Sequence, residues 1–173
     1  MNETLKNLKE RRSIRAYKPE QIKDEELNLI LEAGTYAPTG MNNQSPVMVV
    51  IQDKDLVSKL SKMNAKVMRK DDIDLFYGAP TVVIVLSDKR YPTYLEDGCL
   101  VMGNLMNAAH SINIGSCWIH RAKEVFDSKE GKELLSSFGL SDNYVGIGHC
   151  ILGYVDGDYP TTKPRKEEYI IRV

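Results

Sequence analysis

Three arginines, Arg11, Arg12 and Arg15, crowd into the stretch LKERRSIRAYKP, with Ser13 among them. A guanidinium offers a planar fork of N–H donors that matches a phosphate or carboxylate two bonds at a time. On an extended backbone Arg11, Ser13 and Arg15 alternate and project to one side. Lys163 and Arg165, in TTKPRKEEY near the other end of the chain, can close on the same anion. Charge-assisted hydrogen bonds contribute about 1.5–3 kcal/mol each, so two or three make a useful anchor. The competing reading is that these are solvated surface charges.

The charge balance favours a compact anion over a polymer. The net charge is -1 over 173 residues, but residues 1–18 carry +4, residues 163–173 carry +2, and the body between them is acidic. A nucleic-acid binder would show a broad basic face. Two small clusters at opposite ends suit a single phosphate. The segment PTGMNNQ, residues 38–44, adds amide side chains and exposed backbone suited to the polar edge of a heterocycle.

Other chemistries find less support. No G-x-S-x-G marks a nucleophile, and GIGHCIL is followed by no helix, so it is not a dinucleotide fingerprint. Cys117, His120, His149 and Cys150 would make a two-Cys, two-His zinc set. Both pairs fall on expected strands at odd spacings, however, and so point to opposite faces. No metal site is expected. Asp71, Asp72 and Asp74 read as a solvated acidic turn. The three cysteines, an odd number, and the absence of a secretory h-region argue against a disulfide framework. No window approaches 18 consecutive apolar residues, so no membrane span is expected and the cytoplasm is the default location.

Stepping along the chain, the periodicities predict a short amphipathic helix through Leu5 and Leu8. A second helix starts near Asp24, with Asp24 as its cap, and buries Leu27, Ile30, Leu31 and Gly34 before Pro38 ends it. Strands follow at Val47–Gln52 and around Val82–Leu86, with a weaker helix between them. The segment from about Gly98 to Ile112 is apolar in nearly every direction, through Leu100, Val101, Met102, Leu105, Met106, Ala108, Ala109 and Ile112. Asp97 is its expected cap and Gly115 its expected stop. A helix apolar all round is buried all round, and in a chain this short a second copy is one way to cover it. SCWI is a short strand, Lys129–Phe138 a helix, YVGIGHCILGYVDG a glycine-bearing strand, and EEYIIRV has strand character. One domain over residues 1–173 is expected, as an α+β layer fold rather than a Rossmann fold.

Four segments in this order, RRSIRAY, YAPTGMNNQSP, GSCWI and KPRK, resemble the FMN-dependent nitroreductase family, and the likeness extends over essentially the whole chain. DGCLVMGNLMNAAHSINIGSCWI is similar to the family's long central helix and following strand, and GHCILGY to its late strand. The resemblance implies a nitroreductase-like fold, with a central mixed or antiparallel sheet flanked by helices and a C-terminal strand exchanged between subunits. It implies an obligate homodimer with two FMN sites at the interface. Hydride from NADH or NADPH would pass to the flavin and then, in ping-pong order, to a quinone or nitroaromatic-type acceptor. Arg11, Arg12, Ser13 and Arg15 would hold the phosphate and ribityl chain, with Lys163 and Arg165 completing the phosphate site. Pro38, Thr39, Gly40, Asn42 and Gln44 would come from the other subunit, and Cys117, Trp118 and Ile119 would lie along the isoalloxazine.

The sequence departs from larger members at two places. KDDIDLFYGAP, with Asp71 and Asp74, stands where they carry an amide and a lysine contacting FMN, and Ser45-Pro46 stands where many carry Pro-Trp. Trp118 is then either the pocket's aromatic or a core indole. His120 and Arg121 either meet an acidic acceptor or nicotinamide, or are surface residues. No catalytic side chain is expected, because the cofactor carries the redox chemistry. Two other readings stay open. One is a specialised FMN enzyme of this fold, such as a reductive dehalogenase, for which residues 54–77 would have to supply a lid. The other is a flavin-binding carrier or sensor without turnover.

Overall fold

Residues Thr81–Asp88 are buried at every position, which places that strand at the centre of the sheet. The computed structural model describes residues 1–70 and 73–173. Among them lie helices α1 (Glu3–Glu10), α2 (Asp24–Thr35), α3 (Lys54–Val67), α4 (Tyr94–Ser111), α5 (Ala122–Asp127) and α6 (Lys129–Ser137). The strands are β1 (Pro46–Ile51), β2 (Thr81–Asp88), β3 (Gly115–Ile119) and β4 (Tyr144–Gly153). They form one sheet in the order β1-β2-β4-β3, and every neighbouring pair is antiparallel.

Alternation along β2 divides the core. Val82, Ile84 and Leu86 face one layer with Leu60 of α3, Phe126 of α5 and Leu135 of α6. Val83 and Val85 face the other, with Ile30 of α2 and Met102 and Leu105 of α4. This period of two over a sheet buried on both faces is the α+β layer arrangement expected from the sequence. A register shift between Val85 and Leu86 leaves Ile147 of β4 as an extra residue, a bulge in the central pair. Gly148 beside it is needed for space: a Cβ there would sit 2.5 Å from Trp118 Nε1. Trp118 is therefore half-buried against β4 and Met102, in the α4-side layer.

Several boundaries differ from the expectations. Helix α2 begins at Asp24, so the cap is Lys23, whose N–H donates to the Glu26 carboxylate at 3.0 Å. It stops at Thr35, before Pro38 can clash with its last turn. Helix α4 begins at Tyr94, and Asp97 lies inside it, buried, instead of capping it. It ends at Ser111 with Asn113 in the left-handed region at φ 63°, while Gly115 opens β3. Helix α5 was not foreseen, since its six residues are too few to show a period. The chain after Gly157 pairs with no strand of this sheet. It is exposed throughout, makes a 3₁₀ turn at Glu167–Tyr169 and is extended at Ile170.

Candidate functional site

The arginine cluster is set by the end of α1 and the edge of β3. Arg11 is the C-cap of α1, its N–H donating to Asn7 O at 3.0 Å. Arg12 turns back: its Nη1 donates to the carbonyls of Lys9 and Arg11 at 2.8 and 2.6 Å, which uses part of its fork on the helix end. The chain then runs extended beside β3. Ile14 N–H donates to Ser116 O at 3.0 Å, Lys18 N–H to Tyr154 O at 2.9 Å, and Asp156 N–H to Ala16 O at 3.1 Å. These bonds sink Ile14 and Tyr17 into the core, and the Tyr17 hydroxyl donates to Ile14 O at 2.8 Å. Arg15 remains exposed, its Cζ 6.0 Å above the Tyr77 ring, close enough for a cation–π contact.

Arg11 carries the sharpest signal. Its Nη1 is buried and has no hydrogen-bond partner among the described residues. A buried, unpaired guanidinium nitrogen costs free energy unless an anion satisfies it. That donor, with the Ser13 hydroxyl and Arg15 on the same extended segment, fits the phosphate end of FMN. The field of these arginines reaches their neighbours. Burial, and then the Arg11 charge, holds the pKa of His110 near the end of α4 below its ordinary value. Burial raises the Cys117 thiol, opposed by the Arg15 charge, the Ser13 hydroxyl and the Arg11 charge. Burial pushes Cys150 up to about 12, so it stays a protonated core thiol.

The second half of the site is the loop from Thr39 to Ser45, at the opposite end of α4. Met41, Asn42 and Gln44 all adopt left-handed φ angles, 52°, 55° and 49°. Residues other than glycine and asparagine rarely rest there, so Met41 and Gln44 are places of strain. Asp97 holds the loop down. Its Oδ1 accepts from Gly40 N–H at 2.9 Å, and its Oδ2 accepts from the Ser45 and Thr93 hydroxyls at 2.9 and 3.1 Å. Thr39 Oγ1 accepts from Gln44 N–H at 3.1 Å, and Gln44 Nε2 donates to Asn42 Oδ1 at 3.3 Å. Gly40 is required by the fit, because a Cβ there would lie 2.9 Å from Thr93 Cβ and closer still to its hydroxyl. Pro38, Asn42 and Gln44 are exposed, and Met41 projects with 95% of its surface free.

One chain does not bring the two halves together. Asp97 and His110 are thirteen residues apart on one helix, about 20 Å at 1.5 Å per residue. Lys163 and Arg165 sit in the exposed tail. The tail's Tyr159 ring lies 5.9 Å from the His110 imidazole, beside the arginines. Cys117 and Ile119 face the α3-side layer and Trp118 the α4-side layer, so the three alternate across β3. His120 and Arg121 are exposed, and Arg121 pairs with Glu124 at 2.8 Å.

Asp74 closes its own loop, accepting from Ser61 Oγ at 2.6 Å and from the N–H groups of Phe76 and Gly78 at 2.9 and 2.7 Å. Asp71 and Asp72 lie outside the described residues. No metal cluster of His, Cys, Asp or Glu occurs among the described residues. Asp97, Tyr77 and His110 were not foreseen as site residues. Each contacts a partner far off in sequence, and no local pattern announces it.

The fold and sequence are similar to those of known proteins. The profile of the Nitroreductase family matches residues 8–154. A nitroreductase crystal structure with bound FMN from Bacteroides fragilis superposes with a TM-score of 0.91 at 32% identity, covering 100% of both chains. Another with bound FMN, from Desulfitobacterium hafniense, gives 0.88 at 29% identity, covering 100% of this chain and 99% of that one. A protein of Archaeoglobus fulgidus, named as a candidate NADH dehydrogenase/NAD(P)H nitroreductase, is 30% identical over 159 residues, 89% of this chain and 86% of its own. A four-stranded antiparallel sheet with helices on both faces and an arginine cluster at one edge define an α+β layer protein. The chain belongs to the nitroreductase family.

Proposed function

We propose that this protein is an NAD(P)H-dependent FMN oxidoreductase with two flavin sites, each shared between two subunits. The observation that carries the reading is the buried Arg11 Nη1 without a partner, in a cradle with Ser13 and Arg15. Bound FMN would supply the chemistry, accepting hydride from NADH or NADPH and delivering electrons to a quinone or nitro compound. The chain's own residues would bind and orient. Arg11, Ser13 and Arg15 would hold the phosphate and ribityl end, with the free N–H groups of Arg12 behind them. Lys163 and Arg165 would close over the phosphate from the tail, and the segment Cys117–Ile119 would border the ring.

Placement on α4 supports the sharing. The arginines stand by its C-terminal end and the 39–45 loop by its N-terminal end. A two-fold axis crossing α4 would set one subunit's loop over the other's arginines. Apolar surface left open in the single chain fits such a dimer: Leu5 and Leu8 on α1, Leu95 and Leu100 on α4, and Ile170 and Ile171 in the tail are about half exposed or more. An edge strand such as β1 offers unpaired backbone groups that the extended tail of a second copy could take up. No helix among the described residues is long and apolar enough to cross a membrane.

The test is a stopped-flow mix of the FMN-reconstituted protein with NADH or NADPH under anaerobic conditions. Rapid bleaching of the flavin, reversed by a quinone or a nitroaromatic, is expected. Failure to take up FMN, or release of FAD as the native pigment, would overturn the cofactor reading. Uptake of FMN without bleaching would replace the enzyme with a carrier.

A further inference from the structure

Asp97 is 2% exposed, in the first turn of α4, and it meets only neutral donors. Burying a carboxylate in a helix costs free energy unless each lone pair is used. In the first turn of α4 the carboxylate faces the positive end of the helix dipole, but it accepts from none of that helix's own N–H groups. Its bonds run instead to Gly40 and Ser45, which bracket the left-handed residues Met41, Asn42 and Gln44, and to Thr93, which wedges against Gly40. Left-handed backbone at Met41 and Gln44 persists only where the surroundings over-determine it. The bonds therefore fix the direction in which Met41 and Asn42 point, and both point away from their own subunit's core.

We propose that Asp97 is a positioning residue that acts in trans: it aims the 39–45 loop of its own subunit at the flavin ring held by the arginines of the partner. The inference rests on the shared-site reading above and goes beyond it, because it assigns a buried residue that touches no ligand to the neighbouring subunit's site. Asp97→Ala removes all three acceptor contacts and should raise the FMN dissociation constant tenfold or more. Asp97→Asn keeps one carbonyl oxygen for Gly40 N–H and can donate from its amide to either hydroxyl, so it should stay within threefold of the parent. Because the loop serves the ring end, Asp97→Ala should weaken riboflavin and FMN by the same factor. Arg11→Ala should weaken FMN far more than riboflavin, which lacks the phosphate.

A mixed dimer separates this role from a general folding defect. One subunit carries Asp97→Ala and the other Arg11→Ala with Arg15→Ala, with different affinity tags for isolation after co-expression. If Asp97 acts in trans, one of the two sites is intact, and the mixed dimer binds one FMN per dimer with parental affinity while both variant homodimers bind weakly. A mixed dimer no better than the homodimers would overturn the proposal. The same experiment with Asn42→Ala and Gln44→Ala in place of Asp97→Ala is the control. If the control recovers one site and Asp97→Ala does not, Asp97 has been misread. If the control also fails, the shared-site reading fails instead. Should Asp97→Ala not fold, Ser45→Ala takes its place, since it removes the donor to Asp97 Oδ2 without altering a proposed ligand contact and must show the same recovery.

Discussion

At the N-terminal end of α4 a buried carboxylate clamps a strained loop; at the C-terminal end Arg11 keeps a buried guanidinium nitrogen with nothing among the described residues to bond. The loop is shaped before any ligand arrives, its strain of about 1–3 kcal/mol per left-handed residue opposed by the Asp97 bonds. The arginine cradle is charged, partly exposed and incomplete. One half is preorganised, so a ligand ordered against it loses little further entropy. On the proposed function the other half would be completed by the ligand, and would contribute affinity at the expense of the empty protein's stability. This contrast predicts that variants at the two ends will differ in kind, not merely in degree.

The largest expected effect tests the sheet that carries both halves. His149 on β4 is fully buried between Phe76 and Phe126, its ring centroid 5.3 and 6.1 Å from theirs. Burial lowers its pKa to about 4, opposed by the backbone of Ile119 on the neighbouring strand. The unfolded chain takes up a proton there near pH 6.5, and the folded chain only near 4. Between those values the unfolded state binds more protons, so stability is lost as pH falls, by up to about 3 kcal/mol. Urea midpoints measured at pH 7.5 and 4.5 should show this loss in the parent, and a much smaller one in His149→Leu. Equal losses in both would exclude His149 as the cause. Flavin release on acidification should follow unfolding at both sites together.

The next effect bears on the contrast itself. Arg11→Met should weaken FMN by about 1.5–3 kcal/mol, tenfold or more, because it removes a charge-assisted phosphate contact. The apo protein should melt at the parental temperature or above, since a buried unpaired donor has gone and apolar stem remains. Calorimetry with and without FMN reads both quantities. If Arg11→Met lowers apo stability while leaving FMN affinity intact, the cradle is a structural element and the contrast collapses.

Much of this contrast was hidden in the sequence, although its ingredients were visible. The arginine half was legible because Arg11, Ser13 and Arg15 are neighbours and their alternation is local. Strands β1 and β2 were legible because runs of β-branched residues bounded by turn formers have few alternatives, and β4 because apolar residues recur between its glycines. The loop half was legible only as a loop: Gly40, Asn42 and two prolines announce a turn, but nothing local shows that Met41 and Gln44 are left-handed. Asp97 was misread as a helix cap because an acidic residue before an apolar run usually is one. Its true partners lie 57 and 52 residues away, at Gly40 and Ser45, and only the tertiary fold brings them within 3 Å. Trp118, left open between pocket and core, proves half-buried against Gly148, a contact between strands that no window of sequence contains.

The smallest expected effect probes whether the arginine half is as unsupported as it looks. Arg15 has no carboxylate partner among the described residues; its neighbour is the Tyr77 ring at 6.0 Å. A cation–π contact at an exposed site contributes about 0.5–1 kcal/mol. That is enough to bias the long side chain toward one direction without neutralising its charge, and an arginine held beside a ring still presents its N–H fork to an anion. Tyr77 itself is fixed, in the left-handed region at φ 54°, with its N–H donating to Asp74 O. Tyr77→Phe keeps the ring and should leave FMN affinity unchanged. Tyr77→Leu removes it and should weaken FMN two- to fivefold, the range that about 0.5–1 kcal/mol allows. The loss should vanish in an Arg15→Ala background, where no guanidinium remains to be aimed. If Tyr77→Leu and Arg15→Ala are additive in isothermal titrations, the ring does not act through the arginine, and Arg15 is as free as the rest of its half of the site.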